Sequence, residues 1–423
     1  MMNTRSMISV VLVCLLIMAI LTACAGKQIP TQPPQPPDEY LSNALDWIEM
    51  HSVKIKTVHW TVVRAQALTL AANPKTTSDT YPAILFVMKQ LGDAATFFAP
   101  LEGSKNVPDF VGFNAFYPDA VIVGIDLGGP AEKAGLQVGD VIVSINNAPP
   151  KQWQGTPFLD LYDKAINLQI TVRRVGQDQP IQVVLTKVKS SSHQSTPTGR
   201  TIRTDRGSVG YIELPVESGE GQLYPTLAQQ VIRESDQQGI CGWIIDLRRN
   251  FSGDIWSYIA AIGPILGEGD VGGFTYLDGT RELWTYKGGK VFWADIERDE
   301  SLVEGTVYEL NHPIPPVALL TSHATMAAGE LAVVTFKGRS NVRMFGEPTN
   351  GSPFLVFHTG LSDGSFLGVS GAYAMDRTGH TYDSPITPDE VVSTDWTLFG
   401  SDRDPVILTA RDWLLTQLDC AQK

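Results

Sequence analysis

The sequence is poor in basic residues and in charge generally. Lysine and arginine total 32 against 45 aspartates and glutamates, which leaves a formal net charge of −13 at pH 7. Without a basic stripe that could neutralise phosphates, the chain is not expected to bind nucleic acid. Charged residues make up 18% of the chain and hydrophobic residues 43%, which is typical of a packed globular protein and not of a disordered one. A length of 423 residues suggests two or three domains.

Cysteine and histidine are also scarce. The four cysteines and seven histidines form no C-x-x-C, H-E-x-x-H or similar spacing that is typical of metal ligands. The sequence therefore predicts neither a metal nor another cofactor. Cys241 and Cys420 could pair in an oxidising compartment, but two buried or free thiols are the favoured interpretation.

The clearest long hydrophobic run lies at the N-terminus. Arg5 precedes an apolar stretch from Met7 to Leu21, and residues 21–24 (LTAC) place small side chains before Cys24. The stretch has 15 residues. A helix that spans a bilayer needs roughly 20, which makes a permanent transmembrane anchor the weaker alternative. Residues 1–24 are therefore predicted to be a signal peptide.

The LTAC pattern resembles that of lipoproteins, in which the cysteine becomes the acylated first residue of the mature protein. The resemblance implies lipidation of Cys24, an extracytoplasmic location, and anchorage to the cell membrane or to an outer membrane. Each buried methylene of an acyl chain contributes about 0.8 kcal/mol to membrane binding. Several acyl chains would therefore hold the protein firmly on a lipid membrane.

Composition divides the rest of the chain into four parts. Residues 25–39 are rich in proline and are predicted to be an extended tether. Residues 40–105 show helical apolar spacing, with Pro82 suited to the first turn of a later helix, and predict a helical N-terminal segment. Residues 106–190 change to short β-like runs separated by glycines, and residues 195–415 alternate strands with helices.

A long motif marks the β-rich part of the chain. After the strand-like residues 121–123 (VIV), residues 130–142 read PAEKAGLQVGDVI. This order resembles a PDZ domain of the bacterial protease type. The resemblance implies a domain that takes up a peptide C-terminus by adding it as a strand, with backbone amides receiving the carboxylate. The alternative is a β-rich packing module.

The last part of the chain is predicted to be an α/β core. Apolar runs predict buried strands at residues 209–214, 243–247 and 317–321. Longer periodic stretches predict helices at residues 255–266 and 327–336.

Four segments of this core resemble those of one peptidase family, in the same order. They are residues 210–212 (GYI), 246–253 (DLRRNFSG), 325–330 (TMAAGE) and 346–351 (GEPTNG). They resemble the strand opening, the D-L-R-G-N-x-G-G loop, the T-A-S-S-G-E helix start and the G-E-P-T-x-G strand exit of the C-terminal processing (tail-specific) serine peptidases. With the PDZ-like part, the resemblance covers nearly everything after residue 85. It implies an α+β multidomain fold with a helical N-terminal segment, a PDZ domain and an α/β peptidase-like core of ββα type.

The resemblance also implies where the chemistry of the family takes place, with polypeptides as substrates. In the family a serine at a helix start attacks the peptide carbonyl, and backbone amides stabilise the oxyanion. The nucleophile position corresponds to Ala327, one oxyanion donor to the amide of Ala328, and the other to the loop around Ser252 and Gly253. A methyl group cannot attack a carbonyl, so the family mechanism cannot run with these residues.

Both bases that the family uses are missing. The lysine of the Ser-Lys branch corresponds to Ser352, and the histidine of the Ser-His branch corresponds to Ala95 within residues 91–96 (LGDAAT). We place the chain with the Ser-His branch. Asp376 lies near the orienting acid of that branch, although a solvated turn aspartate is an equally good interpretation.

Ser322, His323 and His380 are weak candidates to replace the missing groups. Two origins of the alanines stay open, an engineered exchange of serine and histidine or natural decay to a pseudoenzyme. Decay is favoured because Arg249 and Ser252 also replace glycines of the family loop. A non-catalytic peptide- or lipid-binding lipoprotein is the remaining alternative, since retinoid-binding relatives resemble the core without a PDZ domain.

Overall fold

The computed structural model describes residues 35–100, 110–116, 120–126, 128–150, 165–189, 195–217, 223–298, 303 and 305–417. Within these ranges the helices and strands form a helical N-terminal segment and three β-sheets. The mixed α/β architecture agrees with the predicted fold class. The predicted signal peptide and most of the predicted tether lie outside the described residues.

Three helices and two short 3₁₀ turns make up the N-terminal segment. The helices are α1 (Pro37–His51), α2 (Trp60–Leu70) and α3 (Tyr81–Leu91), and the turns are Ile55–Thr57 and Thr77–Thr80. The tether was predicted to stay extended to residue 39, and this is wrong for its last residues, because α1 begins at Pro37. A proline in the first turn loses no helical hydrogen bond, and Asp38 and Glu39 beside it favour the positive end of the helix dipole.

The PDZ-like part forms a five-stranded antiparallel sheet in the order β2-β3-β4-β5-β6. Its elements are β2 (Phe113–Phe116), β3 (Val121–Ile125), the short helix α4 (Pro130–Lys133), β4 (Val141–Ile145), β5 (Asn167–Arg173) and β6 (Ile181–Thr186). Alternation along β2 turns Phe113 and Ala115 into the core of this sheet, whereas Phe116 points out of it. The outer face of β2 and β3 is therefore free to pack on another part of the molecule.

A six-stranded sheet forms the centre of the peptidase-like core, in the order β19-β15-β14-β9-β8-β7. Its strands are β7 (Thr198–Thr204), β8 (Gly207–Glu213), β9 (Trp243–Asp246), β14 (Val317–Thr321), β15 (Val342–Gly346) and β19 (Glu390–Val391). All neighbours are parallel except the hairpin of β7 and β8. Such a sheet must be covered on both faces, because its strands are apolar on both.

Helices cover both faces of this sheet. They are α5 (Leu223–Asp236), α6 (Ile255–Leu266), α7 (Ala328–Phe336) and α8 (Pro405–Leu414). Ile245 and Leu319 pack with α5, α6 and α7, whereas Ile244 and Leu320 pack with α8 on the other side. The predicted helix at 255–266 is confirmed with the same ends, because Asp254 caps its first turn and Gly267 follows its last residue.

The remaining strands form an eight-stranded sheet beside the core. They are β1 (Phe97–Ala99), β10 (Gly269–Thr275), β11 (Arg281–Lys287), β12 (Lys290–Trp293), β13 (Ile296–Glu297), β16 (Phe354–Gly360), β17 (Phe366–Met375) and β18 (Thr381–Tyr382). The long strand β17 pairs with β1, β10, β16 and β18. Leu367 and Val369 of β17 also bury the apolar side of the N-terminal helices, so β17 joins that segment to the core.

One expectation about cysteines is wrong. Cys241 is disulfide-bonded, whereas two unpaired thiols were favoured from the sequence. The other three cysteines lie outside the described residues. Separately, within the part of the chain that is described, every helix is too short or too polar to span a bilayer.

Candidate active site

Ala327 occupies a strained turn between β14 and α7. It is the N-cap of α7, with φ 46° and ψ −116°. A residue other than glycine rarely adopts positive φ, and such strain is found mainly at functional sites. A strained turn from a strand into a helix is also how hydrolases present a nucleophile at the edge of a sheet. The backbone at Ala327 therefore has the geometry expected of the predicted nucleophile position, and its side chain is a methyl group.

A buried hydrogen-bond network holds this turn. The amide of Ala327 donates to Ser352 Oγ at 3.0 Å, and Ser352 Oγ donates to Glu330 Oε2 at 2.8 Å. Glu330 also accepts from the amides of Gly351 and Ser352 and from the hydroxyl of Thr349. Burial raises the pKa of Glu330, although these hydrogen bonds work against the rise. Ser352, at the position of the family lysine, is thus a structural link and is nearly buried.

The predicted oxyanion loop packs against the same turn. Ser322 Oγ donates to the carbonyl of Arg248 at 2.7 Å, and Thr325 Oγ1 donates to the carbonyl of Leu247 at 2.9 Å. The amide of Met326 donates to the carbonyl of Asn250 at 2.9 Å. Three hydrogen bonds therefore fix the loop relative to the start of α7.

Glycine is required where α7 meets this loop. A Cβ on Gly329 would lie 2.2 Å from the carbonyl oxygen of Asn250, closer than any real contact. This explains in physical terms why the motif has a glycine two residues after the nucleophile position. The close approach brings the first amides of α7, including that of Ala328, to the loop, and amides of a first helical turn have no partner within the helix.

Tyr258 supports the second predicted oxyanion donor. Its hydroxyl donates to the carbonyl of Ser252 at 2.8 Å and accepts from the amide of Glu217 at 2.8 Å. Burial raises the pKa of Tyr258, so the phenol stays protonated and keeps donating. Gly253 has φ 107°, and a Cβ there would lie 2.4 Å from the Tyr258 hydroxyl. The predicted donors Ala328 and Gly253 thus lie on two segments that the structure brings together.

A fully buried arginine anchors the base of the loop. Arg248 binds Asp246 at 2.6 Å and Asp404 at 2.7 Å, and all three side chains are inaccessible to solvent. Burial alone would lower the pKa of Arg248, but the two carboxylates raise it above its ordinary value. Asp404 also caps α8, so this ion triad ties the loop to the C-terminal helix.

Arg249 replaces a family glycine, and its side chain fills space beside the loop. It donates from Nε to Glu213 at 2.8 Å, and its guanidinium lies 4.5 Å from the ring centre of Phe399. A Cβ on Gly124 of the PDZ-like sheet would lie 3.9 Å from Arg249. Arg249 therefore reaches the boundary between the core and the PDZ-like part.

The PDZ-like sheet covers the candidate site. Phe116 and Val123, on its outer face, form an apolar cluster with Met326, Ala327 and Phe251. The rings of Phe116 and Phe251 are 4.8 Å apart between centres. A cavity of about 10 Å³ beside this cluster is large enough for a single water at most. Ala327 itself stays partly exposed, so the PDZ-like sheet covers the candidate site only in part.

The base position lies at the end of the N-terminal segment. Ala95 follows Asp93, whose carboxylate accepts from the amides of Ala95 and Thr96 at 3.0 and 2.7 Å. The same carboxylate accepts from Ser370 Oγ of β17 at 2.7 Å. Ser370 pairs with Val356 of β16, the strand that starts just after Ser352. The two predicted base positions, Ala95 and Ser352, therefore both lie on segments that are attached to strands β16 and β17.

Asp376 is not near the base position. It accepts from Thr378 and Tyr382 within its own turn, at 2.6 and 2.7 Å. These bonds lower the pKa of Asp376, although burial works in the opposite direction. It follows Ser370 by six residues along β17, a separation of about 20 Å in a strand. The geometry favours the turn aspartate over an orienting acid.

The other candidate replacements are also placed in structural roles. Ser322 donates its hydroxyl to Arg248, and the amide of His380 donates to Asp376. His323 Nδ1 lies 3.8 Å from Glu347 Oε2 at the edge of the PDZ-covered cluster. None of these contacts joins a hydroxyl to a base at residue 327.

Comparison with known proteins decides the family of the core. The model of peptidase family S41 matches residues 208–392, and that of the PDZ domain matches residues 121–158. Residues 208–392 carry a peptidase family S41 domain. The S41 match contains Ala327 and the predicted oxyanion loop at residues 246–253. The PDZ match contains β3, whose Val123 packs beside Ala327.

Two relatives of the chain show how far the likeness extends. The chloroplastic C-terminal processing peptidase of Tetradesmus obliquus is 26% identical over 371 residues, which span 78% of this chain and 73% of the relative. The nisin-resistance protein of Lactococcus lactis is 28% identical over 171 residues, which span 39% of this chain and 50% of the relative.

Solved structures show the same fold at lower identity. The photosystem II D1 C-terminal processing protease has a TM-score of 0.56 at 21% identity, covering 85% of this chain and 94% of its own. A lipoprotein from Streptococcus agalactiae has a TM-score of 0.54 at 17% identity, covering 90% and 97%.

Sequence reasoning did not assign roles to several residues that support the candidate site. Asp93, Tyr258, Glu330 and Ser370 make the hydrogen bonds that fix the three loops. Asp93 and Glu330 stand inside recognised motifs, so their motif positions were a usable signal. Tyr258 and Ser370 lie outside the motifs, and only the tertiary contacts reveal them.

Proposed function

We propose that this chain, as its sequence stands, binds polypeptides outside the cytoplasm without hydrolysing them. The observation that carries the proposal is the methyl side chain of Ala327 at the predicted nucleophile position. Ala95 at the base position removes the second requirement, because alanine cannot accept a proton. Loss of the equivalent groups in another serine protease lowers turnover by about 10⁶-fold, or roughly 8 kcal/mol of transition-state stabilisation.

Polypeptide binding is supported by the PDZ-like part. Among the described strands β2 pairs with β3 alone and forms an edge of its sheet. An edge strand can receive an extended peptide through main-chain hydrogen bonds, with the peptide carboxylate bound by backbone amides. Gly112, just before β2, has φ 78°, and a Cβ there would lie 2.9 Å from Pro130. The close approach fixes the turn at the entrance of β2.

A second candidate is an active serine endopeptidase whose serine and histidine have been exchanged for alanine. The strained backbone at Ala327 favours this candidate, since an alanine side chain gains nothing from a positive φ. Under this candidate Ser at 327 and His at 95 restore activity without further changes. Under natural decay Arg249 and Ser252 also obstruct the oxyanion loop, and the same two changes are insufficient.

Cleavage of an unfolded protein separates these functions. The mature chain, the Ala95→His/Ala327→Ser variant and a matched Ala94→His/Ala328→Ser control are each incubated with casein, and new termini are identified by mass spectrometry. We expect no cleavage by the unaltered chain or the control. Cleavage by the unaltered chain at the rate of an active peptidase would overturn the proposal.

Peptide binding is measured on the same samples. We expect casein fragments with free C-termini to bind the unaltered chain, and amidated fragments to bind less well because the carboxylate is lost. Equal binding of both forms would remove the PDZ-like groove from the proposal. This binding measurement does not depend on residue 327.

We further propose that Cys24 is acylated and anchors the chain to a membrane on the extracytoplasmic side. The support is the apolar stretch before residues 21–24 (LTAC), together with the disulfide at Cys241, since disulfides persist in oxidising compartments. Intact-mass analysis and detergent partition of the chain and of Cys24→Ala test the anchor. We expect only Cys24→Ala to stay in the aqueous phase, and partition of both forms into detergent would contradict acylation.

A further inference from the structure

Helix α2 carries an uncharged outer face. Val63 and Ala67 turn inward to the core of the N-terminal segment. The opposite side is formed by the exposed residues Thr61, Val62, Ala65, Leu68 and Thr69. Val62 is 54% exposed and Leu68 is 43% exposed. A surface helix normally presents charged residues to water on this side, so the outer face of α2 is unusual.

The single charged residue of α2 is turned away from this face. Arg64 pairs with Asp46 at 2.6 Å and with Glu49 at 3.5 Å, both on α1. Its charge is therefore neutralised at the boundary with α1. Leu70 is 58% exposed at the end of α2, but it lies on the side of Val63 and not on the outer face.

The N-terminal segment differs from the peptidase-like core in charge. Residues 35–100 contain five basic and six acidic residues, which is nearly neutral and similar to the PDZ-like part, whereas the whole chain has a net charge of −13. Lys56, just before α2, is exposed. An anionic surface therefore repels this segment less than the core, and Lys56 lies where phosphate groups would meet the start of α2.

The position of the proposed anchor brings a lipid surface to this segment. Cys24 precedes Pro36 by twelve residues, which span at most about 40 Å of fully extended chain. Helix α1 starts at Pro37 and packs against α2. The anchor therefore limits the start of α1 to within about 40 Å of the membrane, and α2 packs directly on α1.

A second copy of the chain is a poorer occupant of this face. A helix of 11 residues is about 16 Å long and, with side chains, about 10 Å wide. A stable dimer buries about 800 Å² on each partner, several times the footprint of one such helix face. Contact with a bilayer does not need so large a buried area, because the proposed anchor already supplies the main attachment.

We propose that α2 lies flat on the phospholipid surface to which the chain is anchored, with Val62, Ala65 and Leu68 inserted at the level of the headgroups. The docking rests on the proposed membrane location. Amphipathic helices bind membranes with the apolar face at the level of the headgroups. The opposite side of α2 is not in water, because Val63 and Ala67 pack into the core of the N-terminal segment. The contact fixes the orientation of the N-terminal segment, and through β17 that of the core, relative to the membrane.

A fluorescent reporter tests the docking independently of acylation. The mature chain without Cys24 is held by a histidine tag at residue 25 on vesicles of phosphatidylethanolamine, phosphatidylglycerol and nickel-chelating lipid. An environment-sensitive nitrobenzoxadiazole dye is attached at Leu68→Cys and, as a matched control, at Val175→Cys in the PDZ-like part, where Val175 is 76% exposed. We expect a blue shift and quenching by spin-labelled lipids at residue 68 and neither effect at residue 175.

Three outcomes would overturn the docking. Equal spectra at residues 68 and 175 would place α2 in water, and a blue shift without vesicles together with a dimer mass would assign the face to a second copy. A blue shift that survives Val62→Asp, in a variant with an unchanged melting temperature, would show that the outer face is not the contact. The Cys24→Ala partition experiment tests acylation, and the dye experiment tests docking of α2 without Cys24. Either proposal can therefore fail without the other.

Discussion

Ala327 keeps a backbone conformation that its own side chain does not need. Its φ of 46° and ψ of −116° match the first central position of a type II′ turn, where glycine is preferred. A non-glycine residue in such a region costs of order 1–3 kcal/mol. A strained backbone of this kind fits the predicted nucleophile position, because such strain is found mainly at functional sites.

Substitution of Ala327 by glycine therefore stabilises the protein. We expect Ala327→Gly to raise the free energy of unfolding by about 1 kcal/mol, since the relief of strain exceeds the extra entropy of the unfolded glycine. Ala332→Gly, in the regular part of α7, serves as the control and lowers it by about 1 kcal/mol or more. Urea titration measures both, and a loss of stability in Ala327→Gly would show that the turn is not strained.

Ser352 is predicted to matter for stability and not for proton transfer. Removal of its hydroxyl leaves the amide of Ala327 without its hydrogen-bond partner and removes one of the four hydrogen bonds to the Glu330 carboxylate. We expect Ser352→Ala to lower the free energy of unfolding by about 1–3 kcal/mol. Ser78→Ala, at an exposed hydroxyl pair, is the control and changes little. Equal stabilities in denaturant would contradict the structural role.

At the scale of elements, the core is tied to α8 by the buried triad of Asp246, Arg248 and Asp404. Removal of one partner of a buried pair leaves an uncompensated charge. We expect Asp404→Ala to cost about 3–5 kcal/mol in the free energy of unfolding. Asp402→Ala, two residues earlier and 92% exposed beside Arg200, costs less than about 1 kcal/mol. Similar losses in both variants would show that the triad does not carry the attachment of α8.

The N-terminal helices are joined to the core by a pH-sensitive contact. Tyr40 and Tyr81 donate to Asp363 at 3.1 and 2.7 Å, in the turn between β16 and β17. Partial burial works in the opposite direction, but these bonds and those from Ser365 lower the pKa of Asp363. A lowered folded-state pKa gives stability that is present above the unfolded value of about 3.9 and is lost as pH falls through the folded value.

Asp363→Asn should reveal this contribution. We expect the variant to be less stable than the unaltered chain at neutral pH and to lose less stability on acidification below about pH 4. Asp178→Asn, exposed in a turn of the PDZ-like part, is the control and keeps the pH profile of the unaltered chain. Parallel profiles for Asp363→Asn and the unaltered chain, from urea titrations across the pH range, would contradict the contact.

Elements with local signals were predictable from the sequence. The helix at Ile255–Leu266 follows an aspartate cap and ends before a glycine, and the strand Val317–Thr321 is a continuous apolar run. The start of α1 was missed because Pro36 and Pro37 were assigned to the tether, whereas proline also suits a first helical turn. Composition alone does not separate these two uses of proline.

At the scale of the whole molecule, the covered site could not be predicted from the sequence. The motifs predicted the nucleophile position and the loop, since each motif is local in the chain. The contact of Phe116 with Phe251 and the bond between Asp93 and Ser370 join residues that are far apart in the chain. Such pairs carry no periodic or spacing signal, so the position of the PDZ-like part over residue 327 emerges only in three dimensions.

The cover over the site is itself testable. We expect Phe116→Ala to raise hydrogen exchange in residues 322–328, because the variant loses the ring that packs on Phe251 and Met326. Val143→Ala, on an exposed side of the PDZ-like sheet, is the control and leaves exchange there unchanged. Identical exchange in both variants would show that the PDZ-like part does not protect residues 322–328.

Covalent labelling with a serine-reactive fluorophosphonate, read by peptide mass spectrometry, tests most directly whether the chain has a reactive serine. We expect no labelled serine in the unaltered chain, because residue 327 carries a methyl group and Ser352 is hydrogen-bonded to Glu330. Labelling of the unaltered chain at Ser352, or at any other serine, with cleavage of casein at a matching rate, would show an active hydroxyl elsewhere and contradict the proposed loss of hydrolysis.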